Sequence, residues 1–244
     1  MMINNNDFHS ENEHLIHELD QVKNIAQAKE RLCMLHVAEM DELYDVLKKQ
    51  VKDLQAAHFA NQKIFMATIE TLALTLEAKD IYTQGHSSRV AEYAVSLANK
   101  LGVDKTFTEQ ARLAASLHDL GKIGITEKVL NKPGTLTDLE FKLIKSHPIT
   151  AVKILTPLEL TYDILPFIKH HHERYDGNGY PDRLKGENIP FGARLIAIAD
   201  SFDAMTSDRP YRKALTIEIA LSEIEKGAGT QFDYELAHKW INLF

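Results

Sequence analysis

The stretch LIHELDQVKNIAQAKERLCMLHVAEMDELYDVLKKQVKDL, residues 15–54, contains neither Gly nor Pro. Its apolar residues recur at alternating intervals of four and three. The seam runs through Leu15, Leu19, Val22, Ala26, Lys29, Cys33, His36, Met40, Leu43, Leu47, Gln50 and Leu54, and nine of these twelve positions are apolar. Lys29, His36 and Gln50 interrupt it. Such intervals put side chains on one helix face, so the stretch predicts a coiled-coil or helical-hairpin segment able to join two chains as a homodimer. An amphipathic helix packed on its own domain satisfies the same spacing, and spacing alone does not choose between them.

Helix breakers are absent well beyond this stretch, since the first Gly is Gly85 and no Pro precedes it. Long helices are the expected outcome. A second apolar helix is predicted over 59–78. Further helices are predicted over 87–101, closed by Gly102, over 108–120, over 149–155, over 164–171, over 194–205 and over 216–226. The segment 137–146 opens with Thr137 and carries Glu140 three residues on, which is a capping box. Few segments alternate with period two. The fold class is therefore all-α, with residues 1–60 as an N-terminal helical extension and 61–244 as the main domain.

The chain has 244 residues and a net charge of −7, which disfavours a non-specific DNA or RNA binder. An anionic substrate must then be met by local positive charge. Cys33 is the only cysteine, so no intrachain disulfide is available. The N-terminal residues 1–10 are polar and Asn-rich, without the apolar core of a signal peptide. No apolar run approaches the ~20 residues of a membrane span. The expected location is the cytoplasm, with no membrane attachment.

Twelve histidines are many for this length, and their placement carries the chemistry. His118 and Asp119 are adjacent at the end of an apolar predicted helix. His86 begins one helix and His147 closes another. His170, His171 and His172 stand in a row. Asp200 closes the apolar run 195–199, and Asp203 follows one turn later. Neutral imidazoles and carboxylates are ligands for Fe, Mn or Zn, and a carboxylate ending an apolar helix is costly unless a cation pairs it. Buried histidines that merely satisfy a core, chance His-Asp pairs and a surface His run remain open on spacing alone. Neighbours on a helix point ~100° apart, so three successive histidines cannot share one face. Two of them can still address two ions ~3.5–4 Å apart.

Seven motifs in register narrow these alternatives. They are DIYTQGHS (80–87), HDLGKIGI (118–125), KPGTLT (132–137), IKSHP (144–148), HHERYDGNGYP (171–181), IADSFDAM (198–205) and SDRPYR (207–212). With these motifs, residues 80–233, about 60% of the chain, resemble the HD-GYP family of HD-superfamily phosphodiesterases. The resemblance implies an HD-type helical bundle. It also implies hydrolysis of a 3′–5′ phosphodiester in a cyclic dinucleotide, above all cyclic di-GMP, to linear pGpG and on to GMP. Cyclic GMP-AMP or pGpG as substrate, and a sensing domain with little turnover that signals through the N-terminal helices, stand as alternatives.

Position by position, the resemblance implies metal ligation by His86, His118, Asp119, His147, His171, His172 and Asp200, with Asp119 bridging two ions. Lys122 would meet the phosphate or supply a proton, its pKa pushed down by the cations beside it, and Asp203 would hold that lysine. Tyr180, Arg209 and Arg212 would contact substrate, since arginine forks suit phosphate oxygens. Members with a third metal carry a Glu one turn before the first ligand His. Tyr82 stands there, which implies two divalent transition ions, Fe or Mn first and Zn or Ni next. The chain departs from the family pattern at Ala151, at Asp182-Arg183-Leu184 and at Asp233-Tyr234. The second of these lies beside the substrate loop and bears on substrate preference. DGNG (176–179) is in addition a tight-turn signal in any protein.

Overall fold

A computed structural model describes residues 5–77, 85–158, 163–208 and 213–244, with side chains from residue 15 onward. The described residues fold as helices, apart from one isolated bridge between Ala228 and Phe232. The class is all-α. Residues up to Ile64 and from Phe65 onward form two separate compact units.

The first helix, α1 (Asn5–Glu77), is continuous. The sequence reading starts a second helix near Phe59, and the structure corrects this. No Pro or Gly interrupts the backbone ladder there, so nothing stops the helix. The seam side chains Leu15, Leu19, Val22, Met40, Leu43, Leu47 and Leu54 are between 51% and 72% exposed. Among the described side chains of α1, those near its C-terminus, such as Ile69, Ala73 and Leu76, enter the core of the second unit.

That unit continues with α2 (His86–Leu101), α3 (Lys105–Leu117), α4 (Glu127–Leu130), α5 (Asp138–Ile144), α6 (His147–Leu155), α7 (Leu165–His170), α8 (Phe191–Thr206), α9 (Ile217–Gly227) and α10 (Tyr234–Ile241). Local chemistry sets their ends. Gly102 adopts φ 69° and donates its N–H to Ala98 O and Asn99 O, closing α2. The Asp104 side chain accepts from Phe107 N, so α3 begins three residues earlier than the Thr108 expected. Thr137 and Glu140 form the capping box of α5. Asp233 caps α10, a helix that sequence reading missed, by accepting from Glu235 N and Leu236 N.

Helix α2 packs on α3 and α8, and α7 packs on α6 and α8. Leu97, Leu113, Leu117, Ile168, Leu195, Ile198, Phe202 and Trp240 are buried where they meet. Each such side chain contributes roughly 1.5–3 kcal/mol by leaving water. A 3-10 turn over Leu120–Gly124 lies against α6 so closely that a Cβ on Gly121 would sit 1.8 Å from His147 O. Gly121 therefore permits the approach that brings α3 and α6 together at their ends. No helix of the described residues is long and apolar enough to cross a membrane.

Candidate metal centre

Helix ends converge on one buried cluster. His86 is the first residue of α2, His118 and Asp119 follow the end of α3, and His147 is the first residue of α6. His171 and His172 follow α7. Asp200 projects from within α8, so the reading that it ends a helix is corrected. His147 likewise opens a helix rather than closing one, because Ser146 and Pro148 turn the chain into α6.

The histidines share one local device. His118 Nδ1, His147 Nδ1 and His171 Nδ1 each lie 2.7 Å from a carbonyl three residues back, Ala115 O, Ile144 O and Ile168 O respectively. A carbonyl only accepts, so each Nδ1 carries the proton and each Nε2 presents a lone pair. His118 Nε2 is buried without a hydrogen-bond partner. His147 Nε2 and His171 Nε2 face each other at 3.3 Å. Two lone pairs at that distance repel unless a cation lies between or beside them.

The donor atoms fall into two sets. One is His147, His171 and His172, and the other is His86, His118 and Asp119; within each set the donor atoms lie within 4.8 Å of one another. Asp119 addresses both. Its Oδ1 is 3.4 Å from His147 Nε2, while its Oδ2 is 3.4 Å from His118 Nε2 and 3.7 Å from His86 Nε2. Asp200 Oδ1 joins the second set, 3.3 Å from His86 Nε2. Neutral imidazoles, an orphaned nitrogen and two carboxylates fit divalent transition ions.

Electrostatics agree with that donor set for His171, His172 and Asp119, whereas His86 must give up a proton to ligate. Burial pushes His171 well below its ordinary range, and the neighbouring His172 and His118 add to the effect. Burial and His147 take His172 down to about 3. These rings stay neutral and able to ligate. Burial opposes ionisation of Asp119, yet Lys122, His118 and His147 hold its carboxyl well below the usual range. Burial likewise disfavours charge on His86, but bonds to Asp200 and Asp203 outweigh it and raise the ring to about 9.

The remaining sequence-predicted residues sort as follows. Lys122 Nζ lies 2.7 Å from Asp119 Oδ2, inside the cluster. Asp203 was expected to hold that lysine. Its carboxylate instead accepts from His86 Nδ1 at 2.7 Å, and from Arg89 Nε at 2.6 Å and a second Arg89 nitrogen at 3.0 Å. One turn beyond Asp200 on α8, it points behind His86, so it orients a histidine from the rear. Tyr180 stacks at 4.8 Å on His172, and burial and then the charges of Asp119 and Asp200 raise its hydroxyl pKa. Tyr82, Arg209 and Arg212 lie outside the described residues. His170 turns away and meets Asp182 at 3.0 Å.

Sequence reasoning missed Arg89, which pairs with Asp203, and Glu173, whose buried carboxylate accepts from Asp182 N at 2.7 Å and closes the loop under Tyr180. It also missed Glu77. No spacing signal marks any of the three, since Arg89 meets a residue 114 positions away and Glu77 and Glu173 meet backbone 8 to 10 positions on, all beyond the reach of helix periodicity. In the same loop, a Cβ on Gly179 would come within 2.3 Å of Arg174 N, so that turn requires glycine.

Comparison with known proteins places this cluster in a family. The HD domain family model matches residues 66–236. A cyclic di-GMP phosphodiesterase of Thermotoga maritima is 38% identical over 180 residues, covering 72% of this chain and 48% of the relative. A 3′3′-cGAMP-specific phosphodiesterase of Vibrio cholerae is 36% identical over 180 residues, covering 73% of this chain and 39% of the relative. The chain thus spans about half or less of the length of these relatives. The crystal structure of a cyclic GMP-AMP specific phosphodiesterase of Vibrio cholerae superposes with a TM-score of 0.55 at 18% identity, covering 73% of this chain and 48% of that one. This likeness is one of fold.

Proposed function

We propose, from the premise that the chain belongs to the HD domain family and carries the HD-GYP signature loop, that it is a metal-dependent phosphodiesterase opening cyclic di-GMP to linear pGpG and on to GMP. The observation that carries this reading is the pair of lone-pair nitrogens, His147 Nε2 and His171 Nε2, facing each other at 3.3 Å beside the partly buried carboxylate of Asp119. Such an arrangement is stable with cations present and costly without them.

Two divalent ions, Fe or Mn first and Zn or Ni next, would be held by His86, His118, Asp119, His147, His171, His172 and Asp200. Bound there, they supply Lewis acidity toward a phosphoryl oxygen and a lowered pKa for water. Asp119 offers one oxygen to each donor set. Lys122, at 2.7 Å from that carboxylate, is placed to donate a hydrogen bond or a proton to the phosphodiester. Asp203 and Arg89 keep His86 in the tautomer that ligates. Tyr180 offers its ring to a base and its hydroxyl to a phosphate. Arg209 and Arg212 are proposed to bind the second phosphate.

The Vibrio cholerae relative named for 3′3′-cGAMP supports a second substrate reading, the same chemistry on cyclic GMP-AMP or on pGpG. The departure at Asp182 also bears on it, because that carboxylate binds Lys169 and His170 beside the loop holding Tyr180. The exposed seam of α1 supports a homodimer, with residues 1–60 as the pairing extension and 61–244 as the phosphodiesterase domain, acting in the cytoplasm.

The deciding experiment is elemental analysis of protein purified under reducing conditions, with product chromatography on cyclic di-GMP, cyclic GMP-AMP and pGpG. Two ions per chain and a linear product are expected. A fully metallated protein that leaves all three substrates intact defeats the reading. Arg209→Ala should weaken apparent affinity about tenfold, for roughly 1.4 kcal/mol lost. It should spare metal content and hydrolysis of bis(p-nitrophenyl) phosphate.

A further inference from the structure

Gly85 is the N-cap of α2, with φ 72° and no side chain to cap the helix. The first N–H groups of a helix have no partner within it and must find one elsewhere. Here the partner is Glu77, the last residue of α1. Its Oε2 accepts from Gly85 N at 2.8 Å and its Oε1 from Ser87 N at 2.7 Å. The carboxylate is buried, 7% exposed. It grips the backbone immediately before and immediately after His86, the residue whose Nε2 faces Asp119 and Asp200.

Two physical consequences follow. The ring of His86 is fixed from behind by Asp203, but a ring is only as well placed as its Cα, and Glu77 fixes that. Moreover, a helix N-terminus carries about half a positive charge. A cation held through a residue in the first position of α2 would be repelled by that end of the helix. A buried carboxylate on the same N–H groups offsets the repulsion.

We propose that Glu77 is a positioning residue for the ion held through His86, setting that ion's affinity by clamping the α2 backbone and offsetting its positive end. The proposal rests on the two-ion reading above. Because Glu77 ends α1, it is also where a displacement of the last turn of α1 reaches the metal centre. Among the described residues, Glu77 makes its hydrogen bonds to Gly85 and Ser87, and the other donor set, His147, His171 and His172, is joined to His86 through the shared Asp119.

The test uses the full chain, loaded with Mn and titrated with a chelator, in Glu77→Ala and Glu77→Gln variants. The glutamine keeps the shape but offers one acceptor oxygen in place of two. The readouts are the two stepwise metal affinities, thermal melting and far-ultraviolet dichroism. One of the two affinities should fall 10- to 100-fold in Glu77→Ala, the range for losing a group that orients a ligand. It should fall less in Glu77→Gln, with the other affinity changed several-fold less in both. Equal weakening of both ions together with a lower melting temperature would make Glu77 a helix cap and nothing more, overturning the proposal, as would unchanged affinities. If Glu77→Ala does not fold, Glu77→Gln decides on the same criteria. A wild-type chain that binds no ion defeats the metal-site reading itself. A wild-type chain with two ions and a variant indistinguishable from it defeats the Glu77 proposal alone.

Discussion

His147 Nε2 and His171 Nε2 point at each other across 3.3 Å, and each ring already donates its Nδ1–H to a backbone carbonyl, Ile144 O and Ile168 O. Without a cation the pair can relieve its repulsion only by taking up a proton, and burial opposes that for both rings.

Metal-free protein should therefore lose stability on acidification. His147, His171 and His172 have folded pKa values below the ordinary 6.5, His172 near 3. Below 6.5 the unfolded chain binds more protons than the folded one, so stability present above 6.5 is lost as pH falls toward those folded values. Each fully engaged histidine contributes up to about 1.4 kcal/mol per pH unit in that window. His86 acts in the opposite sense. Raised to about 9, it contributes stability below 6.5 that is lost as pH rises through 9. Urea melts of chelated protein at pH 7, 6 and 5 should show a falling midpoint, and a flat profile contradicts the assignment.

Asp119→Ala should remove both ions and the phosphodiesterase activity together, because Oδ1 faces one donor set and Oδ2 the other. Elemental analysis is the readout. Full metal content in the variant refutes the bridging role, and three ions per wild-type chain refutes the two-ion count.

Lys122→Ala should keep its metals and lose turnover by about 100-fold or more, the usual contribution of a positioned proton donor. A loss of metal that matches the loss of rate would instead make its 2.7 Å contact with Asp119 a structural one.

Gly121→Ala should be among the most damaging small substitutions. The added methyl meets the backbone of α6, 1.8 Å from His147 O and 2.7 Å from Ala151 N, so a helix must move rather than a side chain. Overpacking of this kind costs about 1–3 kcal/mol, or a melting decrease of several degrees. Metal affinity should fall too, since α6 carries His147. An unchanged melting temperature would show that the turn and α6 are not held this closely.

Charges at Leu19 and Leu43 together should yield monomers if the α1 seam pairs two chains, since both side chains are exposed in the single chain. Light scattering on wild type and variant settles it. A monomeric wild type excludes the dimer.

The sequence by itself determined the helical class and many helix ends. Those signals are local: the Thr137–Glu140 capping box spans three residues and the Gly102 stop one turn, so each is legible without the rest of the fold. It also supplied the candidate ligands, through motifs whose order matches a family. Only the tertiary structure decided how those residues meet. Packing of the Leu120–Gly124 turn against α6 through Gly121 sets Asp119 between both donor sets. Packing of α2 on α8 puts Asp203 behind His86, 117 residues away, with Arg89 and not with Lys122. The end of α1 supplies Glu77 to the backbone around His86. Helix periodicity and capping act within about four residues, whereas a carboxylate finds its partner through the helices that carry it, and their angles and contacts are set by the core.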